Sequence, residues 1–147
     1  MTLAEEFLAL SPDRRRIVHE RLVEHALDKW KAYARSRGAI SYQETVIGTV
    51  QTVDTSLPEH ALAAVRSGVG IADVDARYGE PIAAMQDKDL YFPAAVEFAY
   101  YAIYNFFRKY GLKQEVDDWL IVNQAGSSEE NEKKWAGVLK KAIQKAL

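Results

Sequence analysis

Cysteine is absent from the 147 residues, which excludes disulfides, thiolate nucleophiles and cysteine-based zinc sites. No apolar run of the chain approaches the roughly 20 residues needed to cross a bilayer. Repeats, long linkers and low-complexity tracts are also missing, so one domain with a real core is expected. The opening "MTLAEEFLAL" places Glu5 and Glu6 where a signal peptide needs positive charge, and a cytoplasmic location is expected. Several catalytic signatures are lacking. "SGVG" at Ser67–Gly70 is too short for a phosphate-cradling loop and has no following lysine. No serine stands in a nucleophile elbow, and His60 has no triad setting. No cofactor and no catalytic activity are expected.

Charge of one sign is lacking overall, since the net value is −2, but it is unevenly spread. Between Asp54 and Glu97 eight acids (Asp54, Glu59, Asp73, Asp75, Glu80, Asp87, Asp89, Glu97) face only Arg66, Arg77 and Lys88, a local charge of −5. Between Pro12 and Gly38 the balance is +4. The molecule is polarised along its sequence.

What is present reads as helix. Leu3–Leu10 forms a short one. Ser11 as N-cap, Pro12 in the first turn and Asp13 near the positive dipole end open a long one that Gly38 closes near Arg37. "AISYQETVIGTVQTVDTSLP" is ambiguous. Its Val, Ile and Thr content favours a hairpin about Gly48, whereas a Ser41–Glu44 capping box and the spacing of Val46, Val50 and Val53 favour helix, which is assigned. A helix capped by Ser56 should run from Pro58 to Ser67, and "GIADVDARYGEPIAAMQD" should hold two short helices broken at Gly79. The clearest element runs from Pro93 to Gly111. "KQEVDDWLIVNQ" gives another short helix, and a Ser127–Glu130 capping box should open the last, with Glu129–Lys133 and Glu130–Lys134 as helical ion pairs. The expected fold is an all-α, single-domain irregular bundle of about seven helices around the aromatic-rich Pro93–Tyr110 helix.

Candidate chemistry is sparse. "HERLVEH", His19–His25, approaches a zincin helix, which needs histidines at i and i+4. These two are six apart, about 120° around a helix, so no single ion reaches both. His19 is expected to be a buried histidine bonded to a neighbour. "DVD" (Asp73, Asp75) and "DKD" (Asp87, Asp89) could bind a hard cation only in a loop or at a helix end, because residues two apart on a helix diverge by about 200°. Capping is the alternative for Asp73 and Asp89. "RRR" at Arg14–Arg16 reads as a solvated face rather than a nucleic-acid contact. Along the aromatic helix, Glu97, Tyr101, Tyr104 and Arg108 fall on one stripe with Asn105 beside it. Such a stripe either satisfies hydrogen bonds between packed helices or lines a groove for a partner.

In "SYQETVIGTVQTVD", "VDARYGEPIAAMQDKDL" and "VEFAYYAIYNFFRKY" the chain resembles the small helical immunity proteins of bacterial polymorphic toxin systems. The resemblance covers roughly Ser41 to Tyr110, about half the chain, and carries no invariant motif. It implies a cytoplasmic protein that binds one cognate toxin domain and blocks its active site. The acidic middle segment fits that role independently, because carboxylates can mimic a phosphate-bearing substrate and speed encounter with a basic enzyme. Asp73, Asp75, Arg77, Tyr78, Asp87 and Asp89 are therefore the expected partner-binding residues, followed by Glu97, Tyr101 and Tyr104. Two rivals stand beside this reading. One is a small metal-dependent hydrolase of phosphorylated or nucleotide-like substrates, which needs these carboxylates to converge. The other is a homodimeric scaffold pairing through the tyrosine stripe.

Overall fold

Ser11 and Pro12 open the longest helix as their chemistry requires. The Ser11 hydroxyl accepts from the Arg14 N–H at 3.4 Å, and Gly38, at φ 70°, closes the helix by donating to the Ala34 carbonyl. The computed structural model describes residues 1–147. Its elements in order are α1 (Leu3–Leu8), α2 (Pro12–Arg37), β1 (Ser41–Gln43), β2 (Val50–Thr52), α3 (Leu57–Ser67), α4 (Ile71–Gln86), α5 (Ala94–Tyr110), α6 (Asp118–Ser127) and α7 (Glu132–Ala146). The fold is all-α, a bundle of seven helices with one small hairpin. No helix is long and apolar enough to cross a membrane.

Helix α5 is the hub, packed against α2, α3 and α6, while α7 lies on α2. One continuous core takes side chains from every helix. Its centre is aromatic. Trp30 stands 5.0 Å from Tyr100 and edge-on to Phe92 at 5.2 Å, and Tyr78 lies 4.5 Å from Tyr100 and stacks on Tyr104.

The segment assigned to helix between Ala39 and Leu57 is instead an antiparallel hairpin, with Ser41 opposite Thr52 and Gln43 opposite Val50. Burial alternates along it. Ile40, Tyr42 and Val53 face inward, while Ser41, Gln43, Val50 and Thr52 face solvent. That period of two defeats the helical spacing of the valines, of which only Val53 is buried. Residues 44–49 close the hairpin, with Gly48 at φ 75° supplying the left-handed turn. The Glu44 N–H donates to the Thr49 carbonyl at 3.0 Å.

Two further expectations are corrected. Helix α4 is continuous through Gly79 and carries Pro81 in its interior. Pro81 cannot donate to the Arg77 carbonyl, but it is buried together with Ile82, and that packing holds the helix together. The last helix is capped by Asn131, whose side chain accepts from the Lys134 N–H at 3.0 Å. Ser127 ends α6, and Glu129 lies between the helices, buried and 2.5 Å from Lys29 Nζ on α2. Tertiary pairing therefore replaces the expected Glu129–Lys133 helical pair.

Glycines 79 and 126 give a paired test. A Cβ on Gly79 would meet nothing within 4 Å, so Gly79→Ala should stabilise α4 by about 0.5–1 kcal/mol through helix propensity alone. A Cβ on Gly126 would stand 2.7 Å from the Trp135 indole nitrogen, so Gly126→Ala should destabilise despite the same gain. Chemical denaturation midpoints of opposite sign are the expected result.

Candidate functional site

The hairpin stands over one side of α4, and a cleft separates them. Its outer lobe, about 310 Å³, is walled by Glu44, Val46, Ile47 and Gln51 from the hairpin side, with Glu80, Ala83, Ala84, Asp87 and Asp89 opposite. A smaller inner lobe shares Gln51 and Glu80 with it and extends past Tyr42 and Pro81 to Asp54 and Arg77. Four carboxylates therefore line the outer lobe, and no lysine or arginine does. Glu44, Glu80, Asp87 and Asp89 make no ion pair within the chain. Their field reaches inward. Burial raises the pKa of the Tyr42 hydroxyl above the ordinary tyrosine value, and Glu44, Glu80 and Asp89 add to that rise.

Local backbone chemistry places these groups. At the end of α4, Lys88 takes a left-handed conformation at φ 63°; its N–H donates to the Met85 carbonyl and the Asp89 N–H to that of Ala84. This is the hydrogen-bond pattern of a Schellman C-cap. It turns the chain sharply and presents Asp87 and Asp89 on the cleft. Asp89 is then locked to the hairpin turn, accepting from the Thr45 N–H at 3.2 Å and from the Thr45 hydroxyl. The turn that carries Glu44 also leaves Val46 96% and Ile47 73% exposed, and Val50 follows on the solvent face at 66%. An apolar lip thus stands beside an anionic cleft, the kind of surface that serves as an interaction site.

The expected partner-binding residues divide. Asp87 and Asp89 enter the outer lobe, and Arg77 enters the inner one. Arg77 is neutralised there, bonded to Asp54 at 2.7 Å and to Asp73 at 2.8 Å. The Ser56 hydroxyl and N–H, together with Arg77, hold the Asp54 carboxyl below its ordinary range. Asp73 is thus an ion-pair partner, and neither it nor Asp89 caps a helix. Asp75 is exposed and lies about 140° around α4 from Glu80, away from the cleft. Tyr78 is not available to a partner. It is fully buried, with its hydroxyl donating to the Tyr100 carbonyl at 3.0 Å. Glu97, Tyr101 and Tyr104 lie on α5, are half-buried and do not line the cleft. Tyr104 is held between Tyr78 and the Arg108 guanidinium, which in turn bonds Asn105 and Gln114. The tyrosine stripe is helix packing at this end.

Glu44, Glu80, Val46 and Ile47 were missed. Glu44 falls in an expected capping box that does not form, and Glu80 directly follows Gly79, the expected break between two helices. Read as a hairpin, the same segment puts "VIG" at an exposed tip, and that was the available signal.

The remaining constellations are structural. No three of the chain's histidine, aspartate and glutamate side chains are grouped so that they could hold a metal ion, so the carboxylates that the hydrolase reading requires do not converge. Of "RRR", Arg14 and Arg16 are exposed as a solvated face requires, and Arg15 is partly buried. Arg15 bonds Asp118 at 3.0 Å, and Arg16 lies over the Tyr110 ring. His19 is fully buried, with Nε2 2.8 Å from the Asp118 carbonyl and Nδ1 2.7 Å from the Tyr110 hydroxyl. A carbonyl only accepts, so Nε2 carries the proton and Nδ1 accepts from Tyr110.

Burial lowers the His19 pKa to about 4; the Lys109 and Arg15 charges add to this, against the Asp118 carboxylate and carbonyl. A histidine whose folded pKa lies below its unfolded value costs stability as pH falls. The unfolded chain takes up the proton first, near 6.5, so the loss should develop from there down to about 4, reaching about 3 kcal/mol. Asp54, Asp118 and Glu129, whose carboxyls are lowered by their partners, lose their contribution only at lower pH. Denaturant titrations between pH 7 and 4.5 should show the His19 slope, and His19→Asn should remove it.

Comparison with known proteins finds no match: no family, no curated protein and no solved structure corresponds to the chain.

Proposed function

We propose that the chain is a non-catalytic binding protein of the immunity type, which neutralises a cognate bacterial toxin domain in the cytoplasm by covering its active site. The observation that carries this reading is the cleft between the hairpin and α4. It is concave, lined by four carboxylates without a cation, and bordered by exposed valine and isoleucine. A free surface of this kind keeps unused electrostatic and apolar binding capacity. Anionic groups speed encounter with a basic partner, and desolvated apolar contacts then hold it. The polarisation of the chain supports the same assignment, since its basic excess lies on α2 and α7, each with a net charge of +4, and neither helix lines the cleft.

Co-expression with the toxin domain encoded by the adjacent gene tests the proposal. Host cells should survive only when this chain is present, and the two proteins should co-purify as a stoichiometric complex. Unchanged killing, with no complex recovered, would count against it.

A further inference from the structure

Resting on the reading of the cleft as a partner surface, the geometry points to its occupant: an arginine side chain carried by an extended, apolar-flanked segment of the partner polypeptide. The outer lobe has two chemistries in one space. Glu44, Glu80, Asp87 and Asp89 supply negative charge from both walls, while Ala83 and Ala84 give a shallow apolar floor. A side chain that fits both must be aliphatic for most of its length and cationic at its end. A guanidinium suits the end better than an ammonium, because its planar fork offers several donors that match carboxylate geometry and is more weakly hydrated.

The lip sets the flanking residues. Val46 and Ile47 project beside the groove almost uncovered, so apolar side chains next to the arginine would bury area that is now wet. Asp89 is already fixed by the Thr45 N–H and hydroxyl, which pre-organises one acceptor and the turn that bears the lip. Other occupants fit poorly. Nucleic-acid phosphates and anionic membrane headgroups would be repelled by a lobe that no cation lines, and the carboxylates are not grouped to hold a metal ion.

The probe is a blocked isoleucine–arginine–valine tripeptide, compared with the same peptide carrying citrulline, which keeps the shape and removes the charge. Titration of the whole protein at low salt, followed by amide chemical shifts, should give saturable changes over residues 44–51 and 80–89. The citrulline peptide should bind at least about tenfold more weakly, as should the arginine peptide to E80Q/D87N, whose two exposed sites leave the fold intact. Equal binding of citrulline, saturable shifts centred elsewhere, or no saturable shift would overturn the assignment. If the toxin is neutralised while the arginine peptide fails, this occupant is wrong and the inhibitor reading stands. If the peptide binds as expected and no toxin is neutralised, the occupant chemistry stands and the inhibitor reading falls.

Discussion

Trp30→Ala should remove a large share of the protein's stability, lowering its unfolding free energy by about 3–5 kcal/mol against a total that for such domains is about 5–15 kcal/mol. Trp30 is fully buried on α2, with its ring against Tyr100 of α5, Phe92 and Tyr33. Truncation would open a cavity where the longest helix meets the hub. The indole N–H also donates to the Thr55 carbonyl at 2.8 Å, tying α2 to the turn between the hairpin and α3. Trp30→Phe separates the two contributions: it keeps much of the ring, loses that hydrogen bond, and should cost about 2 kcal/mol. Denaturant unfolding followed by circular dichroism reads both. A loss below about 1 kcal/mol for the alanine variant would mean that the aromatic centre is not the keystone of the packing.

The second large effect concerns binding. Reversing Glu44, Glu80 and Asp87 to lysine in one variant should weaken the proposed toxin complex by about a hundredfold or more, because each substitution would remove an attraction to a basic partner and add a repulsion. The loss should fall partly on the association rate and shrink at high salt, as exposed charges are screened. All three side chains lie at the surface without ion-pair partners in the chain, so folding should be unaffected. Asp75→Lys, on the far side of α4, should be close to neutral, whereas Asp87→Lys, the same charge change within the cleft, should weaken binding. Equal losses from Asp75→Lys and Asp87→Lys, which change the net charge equally, would show that only net charge matters. Surface plasmon resonance at two salt concentrations separates these outcomes.

How far the sequence disclosed this molecule depended on whether a signal was local. The ends of α2 and α5 are set by Ser11, Pro12, Gly38 and Pro93, residues whose effect needs no tertiary partner. The Gly79–Pro81 step was misread because burial of Pro81 and Ile82 against the rest of the fold overrides the local break. The hairpin was misread because Val46, Val50 and Val53 fall at helical spacing, and only the packing of Tyr42 and Val53 into the core decides against it. The last helix shifted because Glu129 found Lys29, a hundred residues earlier in the chain.

The site was half legible for the same reason. The acidic bias of the middle third is a property of composition, and Asp87 and Asp89 followed from it. Which acids remain free is a property of pairing: Arg77 takes up Asp54 and Asp73, and nothing in "DVDAR" alone reveals that Asp54 completes that pair. Glu44 joins the cleft only through the hairpin. Tyr78 looked like an interface residue by type, but its place over Tyr100 makes it core.

Hydrogen–deuterium exchange of the chain, free and with the adjacent toxin domain bound, tests the central claim most directly. The cleft account predicts slower exchange over residues 43–51 and 80–90, the hairpin tip and the end of α4, with α7 unchanged. Protection confined to α7 or to the basic face of α2, with the hairpin exchanging as in the free protein, would contradict it.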